Sequence, residues 1–263
     1  MAAVLSTAMA ATMLLTGSIS VQAADAAAAN DPAVELIFTS VSVSGDSHTE
    51  AMYEFADKVE ELSGGSVTCK CYDNGSLFSS ENEFDALLNG DADLAYISFP
   101  TIATQIPSYS MFASGYLFSS YEHMTSVLNG DIGLNKIRPQ IEETLNIKPL
   151  SSFYLGSRVI NTREKEINSY DDMNGLLLRM PNSEAWLFLG EALGANPTPL
   201  SFSELYTALQ TGAVDAQDNP LPSIESAKFY EVTKYIAITN HVVDSIMPCI
   251  NGDTWNSMTE AQQ

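Results

Sequence analysis

The chain has 263 residues, of which 45% are hydrophobic, so it can form one large or two medium globular domains. Its 33 acidic residues outnumber 11 basic ones and give a formal net charge of −22. A field of this sign repels nucleic acid and anionic lipid, which bind to basic patches, and argues against both as partners. A small anion can still bind where a few cations line a cleft, so each of the four arginines is informative.

The N-terminus has the pattern of an export signal. Residues 8–19 are mostly small and apolar, and residues 21–23 form a small-x-small cleavage site. The apolar run is too short and too often interrupted by polar residues to be a good membrane span. A basic residue normally precedes such a run, whereas the first Lys or Arg here is Lys58. We expect residues 1–23 to be an atypical signal peptide, and the mature protein to be periplasmic or otherwise extracytoplasmic, without stable membrane insertion.

The first half of the chain alternates strands and helices. Apolar residues recur at helical spacing after Ser47 and alternate along the run that begins at Val67. We predict strands over 34–39, 67–72, 94–97 and 148–154, and helices over 47–62, 81–88, 121–128 and 133–145. The order β-α-β-α-β at the start predicts an α/β domain with parallel strands.

The second half repeats this alternation. We predict an extended segment over 158–162, strands over 176–180 and 214–217, helices over 183–193 and 204–210, and a further β-like run after 229–239. Residues 84–93 and 206–215 share the pattern aromatic-x-Ala-Leu-x-x-Gly-x-x-Asp, with one copy in each half. This echo favours two similar α/β lobes with a boundary near Tyr154, and such lobes can close on a ligand by a hinge motion.

Two arginines have the spacing of an anion clamp. Arg158 comes just after a predicted strand and Arg179 lies at the end of another, and α/β sheets bind ligands at this edge. A guanidinium offers two parallel donors that match a carboxylate. Asn219 can donate its amide to the same oxygens, and Phe202 can form an apolar wall. These four residues are the candidate ligand-binding set.

The residues alone leave two alternatives open. In a chain with so many acids, an arginine is often a surface ion-pair partner rather than a ligand residue. Three other cations near the same stretch can also supply the charge, namely Lys148, Arg163 and Lys165.

The sequence contains no pattern that predicts catalysis. The three histidines are far apart, at His48, His123 and His241. There is no Gly-x-Ser-x-Gly elbow, His-x-x-x-His pair or phosphate-binding loop. The cysteines are an odd number, and Cys69 and Cys71 point to one face of a strand, so they cannot easily bridge. Together with Cys249 they lack the spacing of a zinc site. We therefore expect that the protein is not an enzyme and that it binds neither a cofactor nor a metal ion.

Residues 155–255 carry a series of short motifs. They are Gly156-x-Arg158, Asp172-x-x-Gly175-x-x-x-Arg179-x-Pro181, Leu193-Gly194-Ala195-x-Pro197-Thr198-Pro199, Phe202-Ser203-Glu204-x-Tyr206-x-Ala208-Leu209-Gln210, Gly212-x-x-Asp215, Asn219-Pro220-Leu221, Lys228-Phe229-Tyr230-Glu231-Val232-x-Lys234-Tyr235 and Thr239-Asn240-His241. With them the chain resembles the extracytoplasmic solute-binding subunit of tripartite ATP-independent periplasmic (TRAP) transporters of the DctP type. The resemblance is specific over this stretch and looser in the first half.

The resemblance implies a fold and its division into domains. The expected architecture is a two-lobe α/β clamshell of the periplasmic-binding-protein, class II type. Residues 24–154 together with 245–263 would form lobe I, and residues 155–244 would form lobe II, the carboxylate-binding lobe. Further C-terminal helices are expected beyond these residues.

The resemblance also implies a function. The protein is expected to bind a small organic carboxylate without turnover and to deliver it to the membrane permease subunits of a TRAP transporter. Arg179 would hold the carboxylate in a bidentate pair, assisted by Arg158 and Asn219. Two alternatives of other classes are an extracytoplasmic sensor with the same clamshell and, less favoured, a carboxylate-processing enzyme.

Three positions depart from the family pattern. Ala216 stands where the family usually has Gly. Ser80 and Ser98 occupy positions at which sialic-acid binders of the family place acidic side chains, which argues against sialic acid as the ligand. The sequence does not otherwise indicate which acid is bound.

Overall fold

The computed structural model describes residues 31–263, so the predicted signal peptide lies outside the described residues. The strands are β1 Val34–Thr39, β2 Val67–Tyr72, β3 Leu94–Ile97, β4 Ile147–Pro149, β5 Phe153–Thr162, β6 Leu177–Met180, β7 Asn196–Pro199, β8 Ala216–Pro220 and β9 Tyr235–Asn251. The α-helices are α1 Ser47–Leu62, α2 Glu83–Asn89, α3 Phe99–Ile102, α4 Tyr121–Leu128, α5 Arg138–Leu145, α6 Glu184–Ala192, α7 Leu205–Thr211, α8 Leu221–Ser226 and α9 Gly252–Ser257. None of these helices has the length and apolar character needed to cross a membrane.

The strands form a sheet in the order β2-β1-β3-β9-β5-β8-β6-β7, with β4 also paired to β9. Parallel strands lie at both ends: β1 pairs with β2 and β3, and β6 pairs with β7 and β8. Between these two parallel groups, β5 and β9 run antiparallel to each other and to their outer neighbours. The predicted α/β fold with parallel pairing is confirmed.

The long strand β9 connects the two parallel groups. Its residues 235–246 pair with β5, and its residues 247–251 pair with β3 and β4. Tyr154 and Ser245, at which the sequence predicts the two lobe boundaries, are direct partners in the β5–β9 ladder. The division into two lobes stays a prediction. The boundary between them would lie where β5 pairs with β9, at Tyr154 and Ser245.

Separate hydrophobic cores support the two parallel groups. Beside β1, Met52 of α1 packs with Leu36 and Phe38. Beside β6, Trp186 of α6 packs with Leu178. Both cores are closed by the apolar face of an amphipathic helix on a strand, which is the usual way in which such layers bury apolar area. They fix the strand ends at which the candidate site lies.

One sequence prediction about the strands is wrong. The single strand predicted over 148–154 is two strands, β4 and β5, separated by residues 150–152. Both pair with β9, but in different registers, since Pro149 faces Cys249 whereas Phe153 faces Ile246. Arg158 therefore lies in the middle of β5 rather than after a strand, and Asn219 lies within β8.

Candidate ligand-binding cleft

A cleft of about 390 Å³ lies at the carboxyl ends of the parallel strands. Residues 41–43 follow β1, Ser98 follows β3, and Arg179 and Pro181 lie at the end of β6, and all of them line this cleft. Open α/β sheets bind small molecules at this edge because loops and helix starts converge there. The walls come from both parallel groups, so the cleft lies between the two halves of the sheet.

Arg179 is the buried cation of the cleft. Its Nε donates to the carbonyl of Leu200 at 2.8 Å, and its guanidinium lies 5.9 Å from the ring centre of Phe202. Within the part of the chain that the structure describes, its two terminal nitrogens have no hydrogen-bond partner. Burial and the nearby Arg158 lower its pKa to about 10, against the opposing effect of Asp218. The side chain is thus still charged at neutral pH and has two donors available.

Arg158 is buried in β5 and does not line the cleft. Its Nε and Nη2 donate to the two carboxylate oxygens of Asp218 at 2.8 and 2.9 Å, and its Nη1 donates to Asp244 at 2.8 Å. The guanidinium lies 4.5 Å from the ring centre of Trp186. Although burial acts in the opposite direction, Arg158 and His241 lower the pKa of Asp218 well below its usual range. The donors of Arg158 are therefore committed to internal carboxylates.

Asn219 lies between Arg158 and the cleft. It lines the cleft and is buried within β8. Its Nδ2 donates to Oε1 of Gln217 at 2.6 Å, and its Oδ1 accepts from Nη2 of Arg158 at 3.4 Å. Among the described residues, Asn219 is the cleft-lining side chain to which Arg158 donates a hydrogen bond. The ligand-binding roles of Arg179, Arg158 and Asn219 stay predictions.

Two aromatic side chains border the same space. Phe202, in the short 3₁₀ turn Phe202–Glu204, lines the cleft and packs edge-on against Phe229 at 5.6 Å between ring centres. Its predicted role as an apolar wall fits this position and stays a prediction. Trp186 also lines the cleft, whereas the sequence indicated only its core-facing position on α6. Trp186 lies in the first turn of the helix that follows Arg179, and this position in the sequence could have indicated that it lines the cleft.

The other wall, from the first half of the chain, is rich in hydroxyl groups. Ser80, Ser98 and Thr101 line it, and the hydroxyl groups of Ser98 and Thr101 are 2.9 Å apart. Ser80 and Ser98 are the two positions that the looser part of the resemblance predicted for this wall, and both reach the cleft. The prediction that they disfavour sialic acid is untested by these contacts.

Glu83 is a residue of this wall that the sequence reasoning missed. It occupies the first position of α2, is 4% exposed and lines the cleft. Its Oε1 is buried without a hydrogen-bond partner in the described residues. Burial raises the pKa of Glu83 well above its usual range, against a smaller opposing effect of the Thr39 hydroxyl. The available signal was its spacing from Leu87, which places an acid on the apolar face of a helix.

The two walls touch at two points. The Oγ atoms of Ser80 and Ser201 lie 3.2 Å apart, and Oγ of Ser226 donates to Oδ2 of Asp46 at 3.1 Å. Asp46 also caps α1 by accepting from the backbone N–H of His48 at 2.9 Å. Side chains from both halves of the chain therefore enclose the cleft.

The three alternative cations lie outside the cleft lining. Lys148 pairs with Glu142 at 3.1 Å, and Lys165 donates to the backbone carbonyl of Asp172. Arg163 is partly exposed near the end of β5. Their positions favour Arg179 over each of them as the cation that a ligand would meet.

The cysteines and histidines are dispersed. Cys69 and Cys71 are partly buried on β2, Cys249 is buried on β9, and all three are free thiols. His48 and His241 each contact a buried aspartate. Within residues 31–263, no group of three or more His, Cys, Asp or Glu side chains is arranged to hold a metal ion.

Two α/β halves that enclose a cleft with a buried, incompletely paired arginine form the architecture of a two-lobe solute-binding protein. The family model described as "Bacterial extracellular solute-binding protein, family 7" (DctP) matches residues 38–263. The chain belongs to this family, and the resemblance read from its motifs is confirmed. Members of the family are binding proteins rather than enzymes.

Individual relatives agree with this assignment. The chain is 34% identical over 208 residues to the sialic acid-binding periplasmic protein SiaP of Vibrio cholerae, a match that covers 79% of this chain and 64% of SiaP. The chain thus spans less than two thirds of the length of that relative.

Solved structures show the same architecture. A TRAP periplasmic solute-binding protein from Roseobacter denitrificans with bound 3-deoxy-D-manno-oct-2-ulosonic acid (KDO) is 39% identical, with a TM-score of 0.82 over 88% of this chain and 76% of that one. Another from Sulfurospirillum deleyianum with bound succinate is 26% identical, with a TM-score of 0.82 over 89% of this chain and 74% of that one. The predicted clamshell fold is confirmed.

Proposed function

We propose that this protein is the solute-binding subunit of a TRAP transporter, which captures a small organic acid by its carboxylate and delivers it to membrane permease subunits. The observation that carries this proposal is the buried guanidinium of Arg179, whose terminal nitrogens have no partner among the described residues. KDO and succinate, which two structural relatives bind, differ in size but share a carboxylate group. This common group supports Arg179 as the anchor.

The contacts suggest how the carboxylate is held. The two terminal nitrogens of Arg179 can donate in parallel to both carboxylate oxygens, and such charge-assisted pairs are stronger away from water. Asn219 borders the same space and is the second ligand residue. Arg158 is a positioning residue, because it holds the amide oxygen of Asn219 while its charge is balanced by internal carboxylates. Phe202 forms the apolar side of the site.

Binding and delivery would follow from a hinge motion. Lobe I (residues 24–154 with 245–263) and lobe II (residues 155–244) would close on the ligand about the crossing of β5 and β9, and the closed form would dock on the permease. Because the ligand is only bound and released, we propose no catalysis and no cofactor. Residues 1–23 would export the protein, which places its function in the periplasm or outside the cell.

A thermal-shift screen tests this function. Small organic acids are compared with their methyl esters, which keep the shape and lose the charge. An acid at 100 times its Kd stabilises the folded state by about 2.7 kcal/mol, which raises Tm by roughly 5–10 °C for a chain of this size. We expect at least one acid, and none of the esters, to shift Tm. Absence of any shift across the acids, or equal shifts with acid and ester, would contradict the proposal.

A further inference from the structure

Resting on the hinge motion proposed above, we infer that two hydrogen bonds across the cleft act as a latch that holds the lobes closed. One joins Ser226 to Asp46, and the other joins Ser80 to Ser201. We call these four residues the interlobe latch. Each pair has one member in the predicted lobe I and one in the predicted lobe II, so neither hydrogen bond can persist when the lobes separate.

The contact between Ser226 and Asp46 is the stronger of the two. Oγ of Ser226 donates to Oδ2 of Asp46 at 3.1 Å, and Asp46 is 5% exposed. Although burial acts in the opposite direction, hydrogen bonds from His48 and Ser226 lower the pKa of Asp46. The carboxylate is therefore ionised at neutral pH. A hydrogen bond to an ionised acceptor is about twice as strong as one between neutral groups, and it gains further where water is excluded.

Asp46 is held in position by its own lobe. Its Oδ1 accepts from the backbone N–H of His48 at 2.9 Å and lies 3.1 Å from Nδ1 of the same residue. These contacts cap α1 and leave Oδ2 for Ser226. Because the acceptor is already ordered, little conformational entropy is lost when the hydroxyl group of Ser226 reaches it.

The contact between Ser80 and Ser201 is neutral but lies close to the proposed anchor of the ligand. The two hydroxyl groups are 3.2 Å apart. Ser201 directly follows Leu200, whose backbone carbonyl accepts from Nε of Arg179 at 2.8 Å. The residue that meets lobe I and the residue that orients the guanidinium are thus neighbours in the chain. This contact links closure of the cleft to the position of Arg179.

The latch contributes to ligand affinity without touching the carboxylate. Both hydrogen bonds form only in the closed arrangement, so their free energy favours the closed form over the open one. The apparent Kd of a ligand that needs the closed form rises as the closed fraction falls. Because the latch consists of side chains of the protein itself, it acts before a ligand enters as well as afterwards, and it acts for any acid that fits the cleft.

Acrylamide quenching of Trp186 tests the latch without a ligand. Trp186 lines the cleft and is 2% exposed, so opening should expose its ring. The chain has two tryptophans, and a Trp255→Phe background leaves Trp186 alone. In this background we expect Ser226→Ala to raise the bimolecular quenching constant about twofold or more. An unchanged quenching constant in Ser226→Ala would overturn the inference.

A matched serine variant controls for the loss of a helical hydroxyl group. Ser126 donates to a backbone carbonyl within its own helix, α4, and lies outside the cleft lining. Ser126→Ala should therefore leave the quenching of Trp186 unchanged. The unfolding curves of both variants show whether either serine is needed for the fold itself.

A double-mutant cycle tests whether Ser226 acts through Asp46. Asp46→Asn keeps an oxygen to cap α1 and removes the charge that faces Ser226. If the two side chains form the latch, Ser226→Ala should change the quenching constant by less than about 1.5-fold once Asp46→Asn is present. A full effect of Ser226→Ala in the Asp46→Asn protein would overturn the pairing, because it would mean that the hydroxyl group acts elsewhere.

KDO and succinate, which two structural relatives bind, test the consequence for a ligand. For each acid that binds, stopped-flow fluorescence should show a dissociation rate constant about fivefold or more higher in Ser226→Ala than in the wild type. The association rate constant should stay within about twofold, since contacts that form after encounter act mainly on dissociation. Equal dissociation rates in the two proteins would overturn the inference.

The outcomes separate the latch from the proposed function. If Ser226→Ala raises the quenching of Trp186 but no acid in the thermal-shift screen binds, the latch stands and the proposed function fails. If acids bind and Ser226→Ala changes neither quenching nor dissociation, the latch fails while carboxylate capture stands.

Discussion

At the scale of single residues, two buried arginines differ in what surrounds them. Arg158 and Arg179 are each 2% exposed. Arg158 faces two carboxylates at 2.8 Å, whereas Arg179 makes one hydrogen bond, to a backbone carbonyl, within the described residues. A buried charge without a counter-charge is costly, and a ligand carboxylate relieves that cost when it binds. This difference in partners supports the proposal that Arg179 meets the ligand and that Arg158 holds the structure of the site.

Replacing Asp218 tests the structural role of the Arg158 cluster. Asp218→Asn leaves Arg158 with one of its two ion pairs, and we expect a loss of at least about 2 kcal/mol in the free energy of unfolding at pH 7. Asp57→Asn, at an exposed position of α1, is the control and should change stability by less than about 0.5 kcal/mol. Urea denaturation measures both, and equal stability of the two variants would contradict the assigned role.

The same variant has a predicted pH dependence. Because the folded pKa of Asp218 lies below its unfolded value of about 3.9, the carboxylate stabilises the fold fully above that pH. The contribution is lost as pH falls from about 4 towards the folded pKa. The stability difference between wild type and Asp218→Asn should therefore shrink as the pH falls below 4. A difference that stays constant at pH 3 would contradict this linkage.

At the scale of elements, the crossing of β5 and β9 positions the site. The β5–β9 register shifts between Tyr154 and Gly156 and again between Arg158 and Ile160, so Arg158 lies between two irregularities. Gly156 has a φ of +133°, and a Cβ there would lie 2.4 Å from Cβ of Pro220. Residue 156 must therefore be glycine for β5 to pass this close to the end of β8.

A pair of glycine variants tests that requirement. Gly156→Ala adds both an unfavourable φ and a clash with Pro220, whereas Gly45→Ala adds an unfavourable φ of +84° with no atom within 4 Å. We expect Gly45→Ala to cost about 1 kcal/mol and Gly156→Ala to cost at least about 2 kcal/mol in unfolding free energy. Chemical denaturation of the two proteins is the measurement. Equal losses would show that the close approach at residue 156 is unimportant.

At the scale of the whole molecule, local patterns predicted much of the fold. The strands over 34–39, 67–72 and 94–97 and the helix over 47–62 have the predicted bounds. Their alternation of apolar residues and their glycine-rich ends are local properties that the sequence displays directly. The division of residues 148–162 into β4 and β5 was missed because both strands pair with β9, which lies far along the chain.

The candidate site was predictable only in part, for the same reason. The clamp residues stand in motifs of the second half, so the sequence could single out Arg179. The resemblance also gave Arg158 an assisting role, but the sequence could not show that Arg158 is held by internal carboxylates, since these come from β8 and β9. It also missed Glu83, whose place in the cleft wall depends on burial rather than on a motif.

The net charge of −22 predicts how the rate of association with an anionic ligand depends on salt. Its long-range field repels a carboxylate, whereas the cation at Arg179 acts at short range inside the cleft. Raising the salt concentration screens the repulsion, so the association rate constant should increase, by roughly twofold or more between 0.01 and 0.15 M. Stopped-flow fluorescence can follow this step, because Trp186 lines the cleft. A rate constant that falls with salt would mean that the mouth of the cleft attracts anions.

The central claim is that Arg179 holds the carboxylate of the ligand. The most direct measurement is calorimetric titration of one acid, identified by the thermal-shift screen, into the wild type, Arg179→Ala and Arg163→Ala. Arg163→Ala removes the same charge outside the cleft lining. We predict a loss of at least about 2 kcal/mol, roughly 30-fold in Kd, for Arg179→Ala and little change for Arg163→Ala. An Arg179→Ala protein that folds and binds the acid as tightly as the wild type would contradict the claim.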